Sequence, residues 1–291
     1  MKKIAVIGAN GQLGTDLVEV LSKKNEVIGL THSDIDITKI DSVNGILKNI
    51  KPDIVLNAAS YTNVPKCEEL PELAFSVNAV GVLNIARICS DIDARFFHYS
   101  TDYVFDGKKR EAYVETDCPN PLNVYGNTKL SGEYFALNYC DKSFVIRLSG
   151  IYGKVPSKVK GGNFITTMLK LAKEKPQVEV VNDEILSPTP THEIAKNSAE
   201  LIKANTDAFG VYHMTCEGEC SWYEFAKTIW DTLQLKTPLY PVSINNFPSA
   251  VKRPFYSVLE NNNLNKAGIN KMPDWDKALI AFLKKEIQPK L

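Results

Sequence analysis

The 291-residue chain has no charge excess: Lys plus Arg and Asp plus Glu both number 34. That balance argues against a protein that holds nucleic acid through a broad positive field. Histidine is scarce, and His32, His98, His192 and His213 are too scattered to suggest a catalytic role. Cysteines do not cluster either. Only Cys216 and Cys220 stand close together, with no neighbouring His or Cys to complete a zinc set. They read as reduced structural thiols. No apolar run approaches the ~20 residues that a membrane helix needs. The apolar start, Ile4–Ile7, breaks at Gly8, too early for a signal peptide. These absences point to a cytoplasmic globular protein with no membrane or nucleic-acid partner. Internal repeats and low-complexity tracts are missing too.

What the chain does have is alternation. Short β-branched or aromatic runs at Ile4–Ile7, Val27–Leu30, Ile54–Leu56, Phe96–His98 and Phe144–Leu148 are separated by helical patterns near 12–23, 40–50, 72–90 and 124–139. Strand and helix in strict succession specify an α/β fold with a doubly wound parallel sheet of the Rossmann type. Residues 1–150 are expected to form the nucleotide-binding domain, with returning segments near 178–215. Residues 151–291 are richer in proline and carry shorter segments, with strands at Val178–Val181 and Val211–Met214 and helices at Glu193–Lys203 and Trp222–Leu233. They are expected to form mainly a smaller C-terminal α/β substrate domain.

Gly8-Ala9-Asn10-Gly11-Gln12-Leu13-Gly14 follows the first strand and opens the first helix. Glycines there let the backbone turn tightly against a pyrophosphate, and a helix N-terminus offers free N–H groups to the anion. The second strand ends near Leu30, where an acid would accept the 2′-hydroxyl of an adenosine ribose. The next residues are Thr31, His32 and Ser33, which would not repel a 2′-phosphate. NADPH is therefore the expected cofactor and NADH a possible one. Asp34 and Asp36 follow, placed either to face adenine or only to cap the next helix.

The fourth strand runs into Ser100-Thr101-Asp102, and Tyr125 and Lys129 stand four apart on a predicted helix. Residues at i and i+4 share a helix face. A nearby ammonium would favour the phenolate and bring a tyrosine into the range of general acid–base work. A hydroxyl from Ser100 or Thr101 could bond the same oxygen. A second such pair, Tyr223 and Lys227, has no supporting hydroxyls and reads as an ordinary helix face.

With the glycine loop, Asn57–Thr62, Asn78-Ala79, Ser100–Gly107, Pro121–Gly126 with Thr128–Leu130, Gly162–Phe164, Ser187–Thr189, Cys220–Ala226 and Arg253-Pro254 with Ser257, the chain resembles the dTDP-4-dehydrorhamnose reductases. These belong to the extended short-chain dehydrogenase/reductase superfamily. The resemblance implies NADPH-dependent reduction of the C4 ketone of a nucleotide-linked 6-deoxy-4-keto sugar, giving dTDP-L-rhamnose. It implies Tyr125 as proton donor, Lys129 as its partner and ribose ligand, and Thr101 on the reacting oxygen. Gly8, Gly11, Gln12, Leu13 and Gly14 would meet the cofactor phosphates, with Asp36 and Ile37 by adenine. Ala58, Ala59, Ser60, Tyr61 and Tyr99 would lie along the cofactor, and Asp102, Gly150 and Arg253 by the substrate. A homodimer is compatible with it. No metal is expected, because the magnesium-binding carboxylates of some members do not map onto this chain. One departure matters most: Gly150 stands where relatives carry a tryptophan that packs on the deoxysugar, so space for bulkier sugars is expected there. Two alternatives share the fold. One is a sugar-nucleotide epimerase that retains NAD. The other is a non-catalytic subunit like the regulatory beta subunit of methionine adenosyltransferase.

Overall fold

The structure, a computed structural model, describes residues 1–156, 161–246 and 251–290. Its centre is a six-stranded sheet. In chain order the strands are β1 (Lys3–Ile7), β2 (Glu26–Leu30), β3 (Ile54–Asn57), β4 (Arg95–Thr101), β5 (Ser143–Leu148) and a late strand, Gly210–His213. Across the sheet the late strand comes first, then β5, β4, β3, β1 and β2, and every pairing is parallel.

Successive side chains of a strand point to opposite faces, and a sheet buried on both sides needs apolar residues at both. β1 shows this directly. Ile4 and Val6 pack with Leu13 and Leu17 of α1 (Gln12–Leu21) and with Ile194 and Leu201 of the helix Thr191–Ala204. Ala5 and Ile7 pack with Val43 and Leu47 of α2 (Ile40–Ile50) on the other face. That second layer also receives Val82 and Ile85 from a long helical stretch. It begins after the short α3 (Val64–Glu69) and runs as α4 (Pro71–Phe75), a π turn at Ser76–Val80, and α5 (Gly81–Asp91).

By length and composition, Pro71–Asp91 is apolar enough to cross a membrane, contrary to the expectation that no run comes close; yet its 18-residue apolar window is 56% buried within the fold. Val82, Ile85 and Ile88 pack in the layer under the sheet, while Leu73, Phe75 and Val80 are exposed.

α6 (Val124–Tyr139) starts where the Asn123 side chain accepts the Gly126 N–H at 2.8 Å, a standard N-cap. A third apolar cluster lies in the later half, where Tyr152, Ile165, Val178, Phe225, Ile229 and Leu279 meet. Val178–Val181 pairs with Leu239–Val242 rather than with the main sheet. The strand order reverses beside β1, which has β2 on one side and β3 on the other. In open parallel sheets, ligands bind in the crevice beyond the strand ends at such a reversal.

Candidate active site

The loop after β1 shows why glycine is required. Gly8 has φ +79°, and a Cβ on it would lie 2.7 Å from the Ala59 backbone nitrogen. A Cβ on Gly14 would lie 2.1 Å from the Gly8 carbonyl oxygen, so helix and loop pack backbone to backbone. α1 has no side-chain N-cap bond and no acid in its first turn. Its first N–H groups have no intrahelical acceptors and attract an anion. The loop therefore fits a dinucleotide pyrophosphate. Leu13 contributes backbone only, because its side chain is buried in the core. The Gln12 side chain reaches across to the Ile151 carbonyl oxygen at 3.2 Å and ties the loop to the later half.

Thr31, His32 and Ser33 follow β2, and an acid stands close behind them. A tight turn brings Asp34 back, and its carboxylate accepts from the Thr31 N–H at 2.8 Å and the Thr31 hydroxyl at 2.7 Å. Those bonds hold its pKa below the usual carboxylate value. Asp36 does not cap α2, whose N-cap is Lys39 with no side-chain bond; it closes a local turn by accepting from the Thr38 hydroxyl at 2.7 Å and the Thr38 N–H at 3.1 Å. Ile37 is buried, with its carbonyl oxygen held by Asn84 at 2.9 Å.

The segment after β3 is clamped by Asn78. Its side-chain oxygen accepts from the Ser60 hydroxyl at 2.9 Å and the Tyr61 N–H at 2.7 Å, and its nitrogen donates to the Thr128 hydroxyl at 3.0 Å. The loop Ala58–Tyr61 is thus held against α6, one residue from Lys129.

Thr101, Tyr103 and Tyr125 converge where β4 ends. The rings of Tyr103 and Tyr125 meet edge to face at 5.6 Å. Burial pushes the Tyr125 phenol above its ordinary pKa. The Thr101 hydroxyl beside it pulls the other way, while the Asp102 charge adds to the rise. The i, i+4 argument expected the reverse. Lys129 does not dominate because its Nζ is turned toward the Tyr99 carbonyl oxygen at 2.7 Å. Burial lowers the lysine itself to about 8, with Glu133 opposing. Tyr125 is consequently a neutral phenol, ready to donate. Tyr99 supplies that carbonyl, while its own hydroxyl lies 2.9 Å from Ser198 in the core. Ser100 is not the assisting hydroxyl. It donates at 2.5 Å to Glu133, which is paired with Arg147.

Asp102 is a joint between three segments. Its carboxylate accepts from Ser257 at 2.6 Å, Ser149 at 2.9 Å and Thr101 at 3.1 Å. Burial raises its pKa against those three bonds. Nearby, burial also raises Glu184, offset by Arg253. The Arg253 Nε is buried with no hydrogen-bond partner among the described residues. An orphaned guanidinium nitrogen near Tyr103 and Glu184 suits an anionic or hydroxyl-rich ligand. The Tyr223 and Lys227 pair lies on the helix Trp222–Leu233, where Tyr223 packs on the third cluster and Lys227 is exposed.

The expected gap at Gly150 is not open. A Cβ there would stand 2.6 Å from Leu186 Cδ1 and 3.1 Å from the Pro188 Cα, and the backbone has φ +51°. Leu186 and Pro188 close that side. Gly150→Trp is therefore expected to lower the thermal midpoint and activity toward every sugar, since overpacking alone costs about 1–3 kcal/mol. A higher kcat/KM with a 6-deoxy-4-keto sugar would show that the space is free.

The family model for the RmlD substrate binding domain matches residues 1–287. The chain belongs to this family. Relatives of this RmlD-family chain include the spore coat polysaccharide biosynthesis protein SpsK of Bacillus subtilis, 38% identical over 284 residues, covering 97% of each chain. Another is a dTDP-4-dehydrorhamnose reductase of Aggregatibacter actinomycetemcomitans, 37% identical over 291 residues, covering 96% of this chain and 97% of that one. Among solved structures, a dTDP-4-dehydrorhamnose reductase of Bacillus anthracis in complex with NADP superposes with a TM-score of 0.92 at 38% identity, covering 98% of this chain and 100% of that one. Sequence and fold thus place the RmlD family over both the glycine loop and the Tyr125 cluster.

Proposed function

We propose that this RmlD-family chain reduces the C4 ketone of dTDP-4-dehydro-L-rhamnose to the alcohol of dTDP-L-rhamnose with NADPH. The observation that carries this reading is the convergence of Thr101, Tyr103 and Tyr125 at the carboxyl end of the sheet whose first strand feeds the uncapped glycine loop. The relatives named as dTDP-4-dehydrorhamnose reductases support it. Residues 1–150, with the returning strand Gly210–His213, form the dinucleotide half; the third cluster and its loops form the sugar-nucleotide half.

When bound, NADPH supplies the hydride. The chain does the rest. Gly8, Gly11, Gln12, Leu13 and Gly14 present the pyrophosphate site through backbone, and Ala58, Ala59, Ser60 and Tyr61 form the wall held by Asn78. Asp36 and Ile37 lie on the adenine side. Thr101 orients the substrate oxygen and Tyr125 gives it a proton. Lys129 holds the ribose and the charge balance of the pair. Asp102, through Ser149 and Ser257, fixes the sugar-facing segments relative to β4, and Arg253 meets the diphosphate.

Asp34 adds a second expectation. A carboxylate at the β2 tip repels a 2′-phosphate and accepts from a 2′-hydroxyl, so NADH is also usable. Asp34→Asn keeps an acceptor for Thr31 but removes the charge. The ratio of kcat/KM for NADPH over NADH is expected to rise several-fold, and an unchanged ratio would place the ribose elsewhere.

The direct test uses pure protein, an enzymatically generated dTDP-4-keto-6-deoxy sugar and NADPH. Absorbance of the reduced cofactor is expected to fall in proportion to added sugar. Conversion of the sugar without net NADPH loss would instead indicate an epimerase that returns its hydride.

A further inference from the structure

His98 lies on β4 beneath Lys129, fully buried, and the proton-donor reading makes no use of it. Its Nδ1 is 3.3 Å from the side-chain nitrogen of Asn57 at the end of β3. The Asn57 oxygen is already committed, accepting the Ala59 N–H at 3.2 Å. The amide therefore points its N–H at the ring, so Nδ1 accepts. A neutral imidazole has one ring hydrogen, which must then sit on Nε2. Burial, with the Lys129 ammonium beside it, holds His98 well below the usual histidine pKa, so the ring is neutral. Nε2 faces Lys129 Nζ at 3.5 Å. Room for this edge depends on Gly132, where a Cβ would stand 3.3 Å from Nε2 and 2.4 Å from the Asn78 carbonyl oxygen. The other groups around Nζ are the Tyr99 carbonyl and Glu133, whose carboxylate is bound to Arg147 and Ser100.

We propose that His98 is a positioning residue acting through Lys129: its Nε2–H aims a donor at Nζ and favours the amine over the ammonium. Lys129 is then a readier source of the proton that restores Tyr125 after Tyr125 has protonated the substrate, and its Nζ must leave the Tyr99 carbonyl oxygen to deliver it. No electrons move in this step. The lysine is left as an amine that accepts from His98, and solvent returns the proton when product leaves. The inference rests on the Tyr125 and Lys129 reading above. It adds Asn57 and His98 to burial and Glu133 as groups that bear on the protonation state of Lys129.

Nitrogen NMR of the ring-labelled apo protein reads the tautomer without turnover, with His98→Phe serving to assign the signal. The expected result is an Nε2–H tautomer whose Nε2 signal moves as Lys129 titrates at about 8. An Nδ1–H tautomer overturns the proposal. Activity that needs the ammonium falls as pH rises through the lysine pKa. His98→Phe keeps a ring but removes the opposing N–H, so the alkaline limb of kcat/KM is expected to move up by about one pH unit. Asn57→Asp accepts both the Ala59 N–H and an Nδ1–H, reverses the tautomer and should move the limb the same way. A structural role alone would lower activity without moving the limb, and a fixed limb in both variants contradicts the proposal. If either variant fails to fold, the wild-type tautomer still decides. If Lys129→Met turns over like the parent, the catalytic reading falls even with the expected tautomer. The wrong tautomer would leave that reading intact.

Discussion

Tyr125→Phe is expected to bind dinucleotide as the parent does and to turn over about 10²–10⁴-fold more slowly, the range for loss of one general acid. The phenol suits the role because burial favours its protonated form, while the Thr101 hydroxyl at the end of β4 stands beside it. Phenylalanine preserves the edge-to-face contact with Tyr103, so the fold should not change. The loss should appear in kcat and kcat/KM together, the pattern of an interaction made only in the transition state. Titration with NADP⁺ should give an unchanged dissociation constant. Turnover within twofold of the parent would remove Tyr125 from the mechanism.

Glu133→Leu is expected to destabilise the protein by about 3–5 kcal/mol, because it leaves the Arg147 guanidinium buried without its partner. Both side chains are almost wholly inaccessible. Nε and Nη2 of Arg147 donate to the carboxylate at 3.0 and 2.7 Å, and Ser100 donates to it at 2.5 Å. Arg147 also lies 5.1 Å from the Phe105 ring. Such a loss is a large fraction of the roughly 5–15 kcal/mol that a domain has in total. The urea midpoint is the measurement. The double change Glu133→Leu with Arg147→Met should recover much of the loss, because both charges leave together. A double variant no more stable than Glu133→Leu would mean that the pair is not what holds β5 to α6.

The sheet was legible because its strands are short apolar runs between helical stretches of the right length; the helix expected near 124–139 is observed as Val124–Tyr139. The glycine loop was legible because backbone close packing leaves few alternatives to glycine at Gly8 and Gly14. What stayed hidden depends on contacts between distant positions. Asp34 lies beyond the strand end in sequence, and only the turn returns its carboxylate to Thr31. Burial reversed the expected shift of Tyr125, since spacing along a helix carries no information about desolvation. Ser149 and Ser257 meet on Asp102 across more than a hundred residues. An arginine inside the apolar run Phe144–Leu148 was the one available signal of the Glu133 pair. Gly150 read as a gap because the sequence does not show Leu186 lying against it.

The central claim is that this chain moves a hydride to C4 of the sugar while Tyr125 supplies the proton. Single-turnover reaction with NADPH carrying deuterium at its transferable position tests it most directly. The expected product is a 4-hydroxy sugar nucleotide with one deuterium at C4 for each NADPH oxidised, formed by the parent and lost in Tyr125→Phe. A product without label at C4, or labelled product formed equally fast by Tyr125→Phe, would contradict the account.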